Sequence, residues 1–519
     1  MELIRKPIHY TQEGKSIFDQ FYLDEDYNVP EKKEDVRRII QGTAELRTED
    51  IRPVENYIKV TGKVFFRILY ITDSAEPGPA VLEGKLPFEE MVYAESDGQE
   101  TFFLRNVRTE FTVTVVHSRK LSLRVMAEME LGRESLRDEE MTVDVESDIP
   151  VYRKMQKMNL LKLAVSKKDT YRIKEEITLP GTKESIGEIL LTDIDSRKLD
   201  IRMGEDEVLL RGELLVFCMY VSGEGKADWI EQSVPYEGRI PCEGASEGMY
   251  HHIQHSVEDT LVDIRLDEDG EARILGIEAT IALRMNLYEE EETEILKDMY
   301  SLEQQCVFET RDAVYEELLM QNQSRCKMSE RLALPELKKD VLQIIHSQGS
   351  IQVESKQHTE EGIRVEGILH LTFLYLRGDD AEPYGSWQGI VPFSYLIEYP
   401  ELPQNAESSL AYHVEQLAVT LAGSEAVEIK AVLAFDIFLR KIVPVEMITE
   451  VRIEPLDMET LAGRPGIVGH IVQEGEDIWG LAKKYMTTIE GIMEVNGLES
   501  QNITPGDKLL IFKENVSIL

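Results

Sequence analysis

The densest group of potential metal ligands in the sequence is His251-His252-Ile-Gln-His255, with Glu258 and Asp259 close behind. Imidazoles and carboxylates together suit zinc and related divalent metals. This spacing specifies no ligand pair on a helix face, so a surface or strand-edge histidine patch is the expected outcome. Asp267-Glu-Asp-Gly270 has the composition of a calcium loop but lacks the spacing of an EF-hand, and reads better as a hairpin turn. The four cysteines, Cys218, Cys242, Cys306 and Cys326, form no CxxC pair, which argues against both a zinc ribbon and a dithiol redox motif. No P-loop, GxSxG elbow, HExxH or dinucleotide fingerprint occurs. Carboxylate pairs of the glycosidase kind are inevitable in so acidic a chain and need geometry to mean anything. No catalytic residue, metal site or cofactor is nominated, and the expectation is a protein that is not an enzyme.

Composition narrows the partners. The chain has 519 residues, with 98 acidic against 57 basic side chains and a formal charge of -41. A nucleic-acid binder needs a cationic face to displace phosphate counterions, so nucleic acid is not an expected partner. The acidity runs along the whole chain; it favours solubility and points to basic protein surfaces as partners. An apolar share of 42% is enough for ordinary cores. Pro7 and His9 stand where a secretory signal would need an apolar core, and no stretch reaches the roughly 18 apolar residues of a membrane span. With isolated thiols, this gives a cytoplasmic expectation.

The positioning elements come in three copies. Val60-Thr-Gly62-Lys-Val-Phe-Phe-Arg-Ile-Leu-Tyr70 recurs as Leu210-Arg-Gly212 to Tyr220 and as Val365-Glu-Gly367 to Tyr375. Pro30, Pro180 and Pro335 precede these runs, and the Pro-aromatic pairs Pro87-Phe88, Pro235-Tyr236 and Pro392-Phe393 follow them. Such a long period means whole domains in tandem, not a solenoid. After each proline, Val36, Ile39 and Ile40, then Ile186, Ile189 and Leu190, then Val341, Ile344 and Ile345 have i, i+3, i+4 spacing. That spacing predicts a short helix with proline in its first turn. The rest of each copy predicts antiparallel strands and hairpins. The fold class is therefore mainly β with short helices: three tandem antiparallel β-sandwiches or open barrels, each with one helix. The expected divisions are 1–150 (core 30–132), 151–304 (core 180–290) and 305–458 (core 335–441), then a linker at 459–469 and a small domain at 470–519. The first 29 residues resemble the segments before Pro180 and Pro335 and are expected to give the first copy an edge strand.

The tail from His470 differs: strand, helix, helix, strand. Ile478, Leu481, Ala482 and Tyr485 give the first helix one apolar face. Glu476 or Asp477 favours its positive end, Thr488 can N-cap the second helix, and Gly497 can close it in a left-handed conformation.

Gly475-Glu-Asp-Ile-Trp479, the Leu481-Ala482 and Tyr485 helix, Asn496-Gly497 and Pro505-Gly-Asp-Lys-Leu-Leu-Ile511 closely resemble the LysM domain over residues 470–512. The resemblance implies a βααβ fold and a groove for N-acetylglucosamine polymers. Its walls would be Gly475, Glu476, Asp477 and Ile478 on one loop and Asn502, Ile503 and Thr504 on the other. Trp479 would pack beneath them, as core or also as a contact. Glu476 and Asp477 would suit a basic protein surface as well as a sugar.

The three copies resemble the domain of spore-coat morphogenetic proteins, and three copies followed by a LysM domain is the SipL-like arrangement. This implies a non-catalytic scaffold of endospore coat assembly, in the mother-cell cytoplasm at the forespore surface. Its LysM domain would bind a SpoIVA-like coat ATPase, alongside other coat proteins. The alternative is a peptidoglycan or chitin-type glycan ligand in the cortex.

Overall fold

The computed structural model describes every residue except 97, 338–339, 380–381, 424, 457–464 and 514–519. Part of the expected 459–469 linker, including Gly463, lies outside the described residues. The first copy folds as β1 (Glu2–Glu13), β2 (Ile17–Asn28), β3 (Val36–Val54), β4 (Tyr57–Thr72), β5 (Pro79–Tyr93), β6 (Thr101–His117) and β7 (Lys120–Glu146). The second runs β8 (Tyr152–Thr178), β9 (Ile186–Gly204), β10 (Glu207–Ser222), β11 (Ala227–Pro241), β12 (Tyr250–Leu266) and β13 (Ala272–Tyr300). The third runs β14 (Gln304–Ala333), β15 (Val341–Thr359), β16 (Gly362–Arg377), β17 (Tyr384–Glu398), β18 (Ala406–Leu421) and β19 (Ala426–Pro455).

Each copy is two antiparallel sheets face to face. One is the meander β3-β4-β5, β9-β10-β11 or β15-β16-β17. The other joins the first and last strands of the copy: β8-β13-β12 and β14-β19-β18, with β1 and β2 together taking the place of one long strand against β7, and β6 on its other side. The N-terminal residues thus supply an edge to the first copy, as expected. Alternation places Val125, Ala127, Met129 and Leu131 of β7 in one core, Ile277, Ala279 and Ile281 of β13 in the second, and Ile429, Ala431 and Leu433 of β19 in the third.

Among the described residues, the short helix expected in each copy is replaced by strand. Val36, Ile186 and Val341 each open a 19-residue strand, and the prolines before them turn the chain through single contacts such as Lys33 N–H to Pro30 O and Lys183 N–H to Pro180 O, both 2.9 Å. Among the described residues, only Pro335 of the three prolines opens helical structure, the three-residue 3-10 turn Pro335–Leu337. The misleading period comes from β-bulges. Pairing shifts between Val36 and Arg38 and again between Ile39 and Gln41, with equivalent shifts in β9 and β15. Each bulge changes which residues share a face. Val36 and Ile39 consequently join their own copy's core while Ile40 points out of it, and Ile186, Ile189 and Leu190, like Val341, Ile344 and Ile345, divide the same way.

Those outward residues are what hold the copies to one another. Ile40, Leu190 and Ile345 meet in one cluster with Leu69, Phe217 and Leu374. Beside it His346, 6% exposed, stacks on Phe217 with ring centroids 4.0 Å apart and bonds Asp193 at 2.9 Å and Glu231 at 3.2 Å. A second junction forms where the far halves of β7, β13 and β19 pair with β1, β8 and β14 as long ribbons. There Ile8, Met141, Leu160, Ile295, Tyr315 and Met447, contributed by all three copies, share one core. Thr142 Oγ1 donates to Ile448 O at 2.7 Å, Arg5 to Thr449 O at 2.8 Å, and Lys6 pairs with Glu291.

The repeated glycine has a geometric cause. A Cβ on Gly62 would lie 2.1 Å from Arg47 O, and one on Gly367 would lie 2.2 Å from Gln352 O. Opposite them stand Phe88 and Phe393, the aromatics of the Pro-aromatic pairs, whose rings cover the bare glycines; Tyr236 covers Gly212 likewise. Two of the four repeated landmarks are therefore a single packing contact.

The C-terminal module is β20 (Ile467–Ile471), α1 (Ile478–Tyr485), α2 (Ile489–Asn496) and β21 (Lys508–Phe512), with β20 and β21 antiparallel. Asp477 caps α1 by accepting from Gly480 N–H at 2.8 Å, Thr488 caps α2 through Gly491 N–H at 2.9 Å, and Gly497 closes α2 at φ 61°. Its core is Val472, Ile478, Trp479, Leu481, Ala482, Ile492, Leu509 and Ile511.

Candidate functional site

Two loops leave the same end of the β20–β21 pair. Val472 N–H donates to Asp507 O at 2.9 Å and Gly506 N–H to Val472 O at 2.8 Å, so the segment carrying Gly475 to Ile478 starts beside the one carrying Asn502 to Thr504. Gly475 takes φ 84°, a left-handed turn that suits glycine. Ile478 is buried and Ile503 packs on the module's core, while Asn502 and Thr504 are exposed. Thr504 N–H is held by Asp507 at 2.8 Å.

The two carboxylates of the first loop are already engaged. Glu476 Oε2 meets His470 Nε2 at 2.5 Å and accepts from Gln473 N–H at 3.0 Å, and these bonds hold its pKa below the usual carboxylate range. Asp477 caps α1 with one oxygen and pairs with Lys154 of β8 through the other at 2.5 Å. Burial alone would raise the Asp477 pKa, but Lys154 and the Gly480 amide outweigh it and the net direction is down.

Lys154 belongs to a docking contact invisible in the sequence. Trp479, 8% exposed, donates Nε1–H to Asp298 of β13 at 2.7 Å, and Lys483 pairs with the other oxygen of Asp298 at 2.6 Å. Tyr300 sets its ring edge to Trp479 at 5.0 Å and its hydroxyl donates to Thr487 O at 2.9 Å. Tyr152 stacks behind Tyr300 at 5.0 Å, and Lys483 lies over Phe308. Trp479 thus serves two contacts at once, the module's core and the end of the second ribbon.

The histidine group resolves differently. Strand alternation sends His251 and His252 to opposite faces. His251 packs beside Gln321. His252, 8% exposed, is enclosed near Glu13 and Arg440, and His255 faces His413 with ring centroids 5.3 Å apart. Burial pushes both His252 and His255 down to about 4. The group is on an edge strand, as expected, but it is enclosed between copies and is not a surface patch. No cluster of three or more potential metal ligands forms among the described residues. Asp267 to Gly270 is a hairpin turn closed by Gly270 N–H to Asp267 O at 3.0 Å. No helix among the described residues is long and apolar enough to cross a membrane.

Comparison with protein families places these units. The LysM domain matches residues 470–512, and the SipL SPOCS domain matches residues 185–265 and 340–422. These matches are the ones expected of a SipL-like protein with a C-terminal LysM domain. The SPOCS matches span β9 to β12 and β15 to β18, so they include the outward residues Leu190 and Ile345 and stop short of the ribbons. The first copy shares the sheet plan and the glycine, tyrosine and aromatic landmarks of the SPOCS copies. No curated protein and no solved structure matches the chain. Both families are binding-type and non-catalytic, and together they support a sporulation-related protein with a module of the peptidoglycan-binding kind.

Proposed function

We propose that this chain is a non-catalytic scaffold of endospore coat morphogenesis. Units 1–150, 151–304 and 305–458 act as one platform, and the LysM domain at 470–519 binds a SpoIVA-like coat ATPase and tethers coat proteins to the forespore surface from the mother-cell cytoplasm. The observation that carries this reading is the combination of SPOCS domains with a C-terminal LysM domain in one chain. The packing of the three units at two junctions supports a platform over separate beads. The contact surface on the LysM side is the pair of loops holding Gly475, Glu476, Asp477 and Ile478, and Asn502, Ile503 and Thr504, with Trp479 fixing the first loop from below. Fluorescence imaging of the tagged chain in sporulating cells lacking the ATPase tests recruitment: dispersal through the mother cell is expected, and an intact ring around the forespore would refute it.

A second reading is favoured by the LysM match itself: the same loops bind N-acetylglucosamine polymers of the cortex. Exposed Asn502 and Thr504 would supply the polar contacts such a ligand needs. Saturable binding of chitooligosaccharides that is lost when residues 475–478 are replaced would support it over the protein ligand.

A further inference from the structure

Cavities open where the copies meet, and one of them gathers cations with unused donors. It measures about 480 Å3 and lies between β6 of the first copy and β8, β12 and β13 of the second. Phe103 and Arg105 come from β6, Lys168 from β8, Gln254 from β12 and Arg284 from β13. The Arg284 guanidinium carbon lies 3.5 Å from the centroid of the Phe103 ring, and its side chain is 13% exposed. One terminal nitrogen of Arg284 lies against Glu134, whereas Nη1 is buried with no acceptor. Arg105 gives its terminal nitrogens to Ser16 at 2.9 Å and Glu13 at 3.3 Å, with Glu130 at 3.8 Å, whereas its Nε is buried with no acceptor.

Lys168 has no hydrogen-bond or ion-pair partner among the described residues, and neither do the side chains of Gln254 and Thr170 beside it. Partial burial and then the nearby Arg284 push the Lys168 pKa down, against the opposing pull of Glu134. Of the acids in the lining, Asp169 pairs with Lys167 at 2.7 Å and Glu258 accepts from Ser256 at 2.9 Å, and neither bonds Arg284, Arg105 or Lys168. In a chain of formal charge -41, cations from two copies converge here with donors to spare. Arg284 Nη1 and Arg105 Nε are buried charged donors without an acceptor, which is costly, and an oxyanion held between them and the exposed Lys168 removes that cost.

We propose that this cleft binds a small oxyanion-bearing molecule, a phosphate or carboxylate compound, whose oxygens accept from Arg284 Nη1, Arg105 Nε and Lys168 Nζ and so bridge the first and second copies. The ring of Phe103 backs the guanidinium on the side away from the anion. Isothermal titration of the full-length chain with inorganic phosphate, pyrophosphate and citrate at constant ionic strength tests it. Saturable binding of one equivalent is expected; binding by the phosphates alone or by citrate alone assigns the oxyanion class. Lys168→Gln, at an exposed position that folding tolerates, weakens binding about tenfold or more, the worth of one charge-assisted hydrogen bond. Arg284→Gln weakens it further, and Lys174→Gln, on the same strand but outside the cleft, leaves it unchanged. Absence of saturable binding for all three compounds at millimolar concentration would overturn the proposal, as would wild-type affinity in Lys168→Gln.

Discussion

At the scale of single residues, Gly62, Gly212 and Gly367 are constrained by what their missing Cβ would strike. For Gly62 and Gly367 the nearest atom is a backbone carbonyl, which cannot swing aside; for Gly212 it is the Tyr236 hydroxyl at 2.5 Å. Gly62→Ala and Gly367→Ala are expected to destabilise by about 1–3 kcal/mol, and Gly212→Ala by less, as read from urea or thermal unfolding. Equal costs at the three sites would contradict this. Trp479 is constrained differently, since its ring belongs to the LysM core and its N–H to Asp298. Trp479→Ala is expected to cost about 3–5 kcal/mol and to unfold so small a domain, as near-ultraviolet circular dichroism would show.

At the scale of elements, the ribbon of β8 and β13 is the seat of the LysM domain. Trp479→Phe keeps an aromatic in the core but removes the hydrogen bond to the Asp298 carboxylate, worth about 1.5–3 kcal/mol. It is expected to leave α1 and α2 protected in hydrogen exchange while exchange at 298–300 accelerates; unchanged exchange there would mean that the docking does not rest on this bond. The LysM elements were legible because their signals are local: Asp477, Thr488 and Gly497 cap the helices they adjoin. The sheets were legible from alternation. The stretch around Val36, Ile39 and Ile40 misled because a bulged strand with one residue facing a neighbouring copy has the spacing of a helix. The docking of Trp479 on Asp298, 181 positions away, left no pattern at either position. The same holds for Lys168, Arg105 and Arg284, ordinary charged residues until the fold brings them to one cleft.

At the scale of the whole molecule, the junctions between copies should give stability a maximum in pH. Burial lowers the pKa of His346, but hydrogen bonds to Asp193 and Glu231 outweigh it and raise it above 6.5. The folded state then holds a proton that the unfolded chain releases, so this contribution is intact below pH 6.5 and is lost as pH rises through the folded value. His252 and His255, lowered from 6.5 to about 4, act in the other direction. Between pH 6.5 and about 4 the unfolded chain takes up protons that these buried rings refuse, which costs on the order of 3 kcal/mol for each ring. Urea unfolding across pH is therefore expected to show His346→Gln flattening the alkaline limb and His255→Gln flattening the acid limb; unaltered limbs would contradict the assignment. As proposed, the three packed copies form the platform and the LysM domain is its tether to the ATPase. A pull-down of the purified coat ATPase by the full-length chain, set beside the same chain ending at residue 465, tests it most directly. Retention by the full-length chain and its loss on truncation are expected; equal retention by both would show that the LysM domain is not the tether.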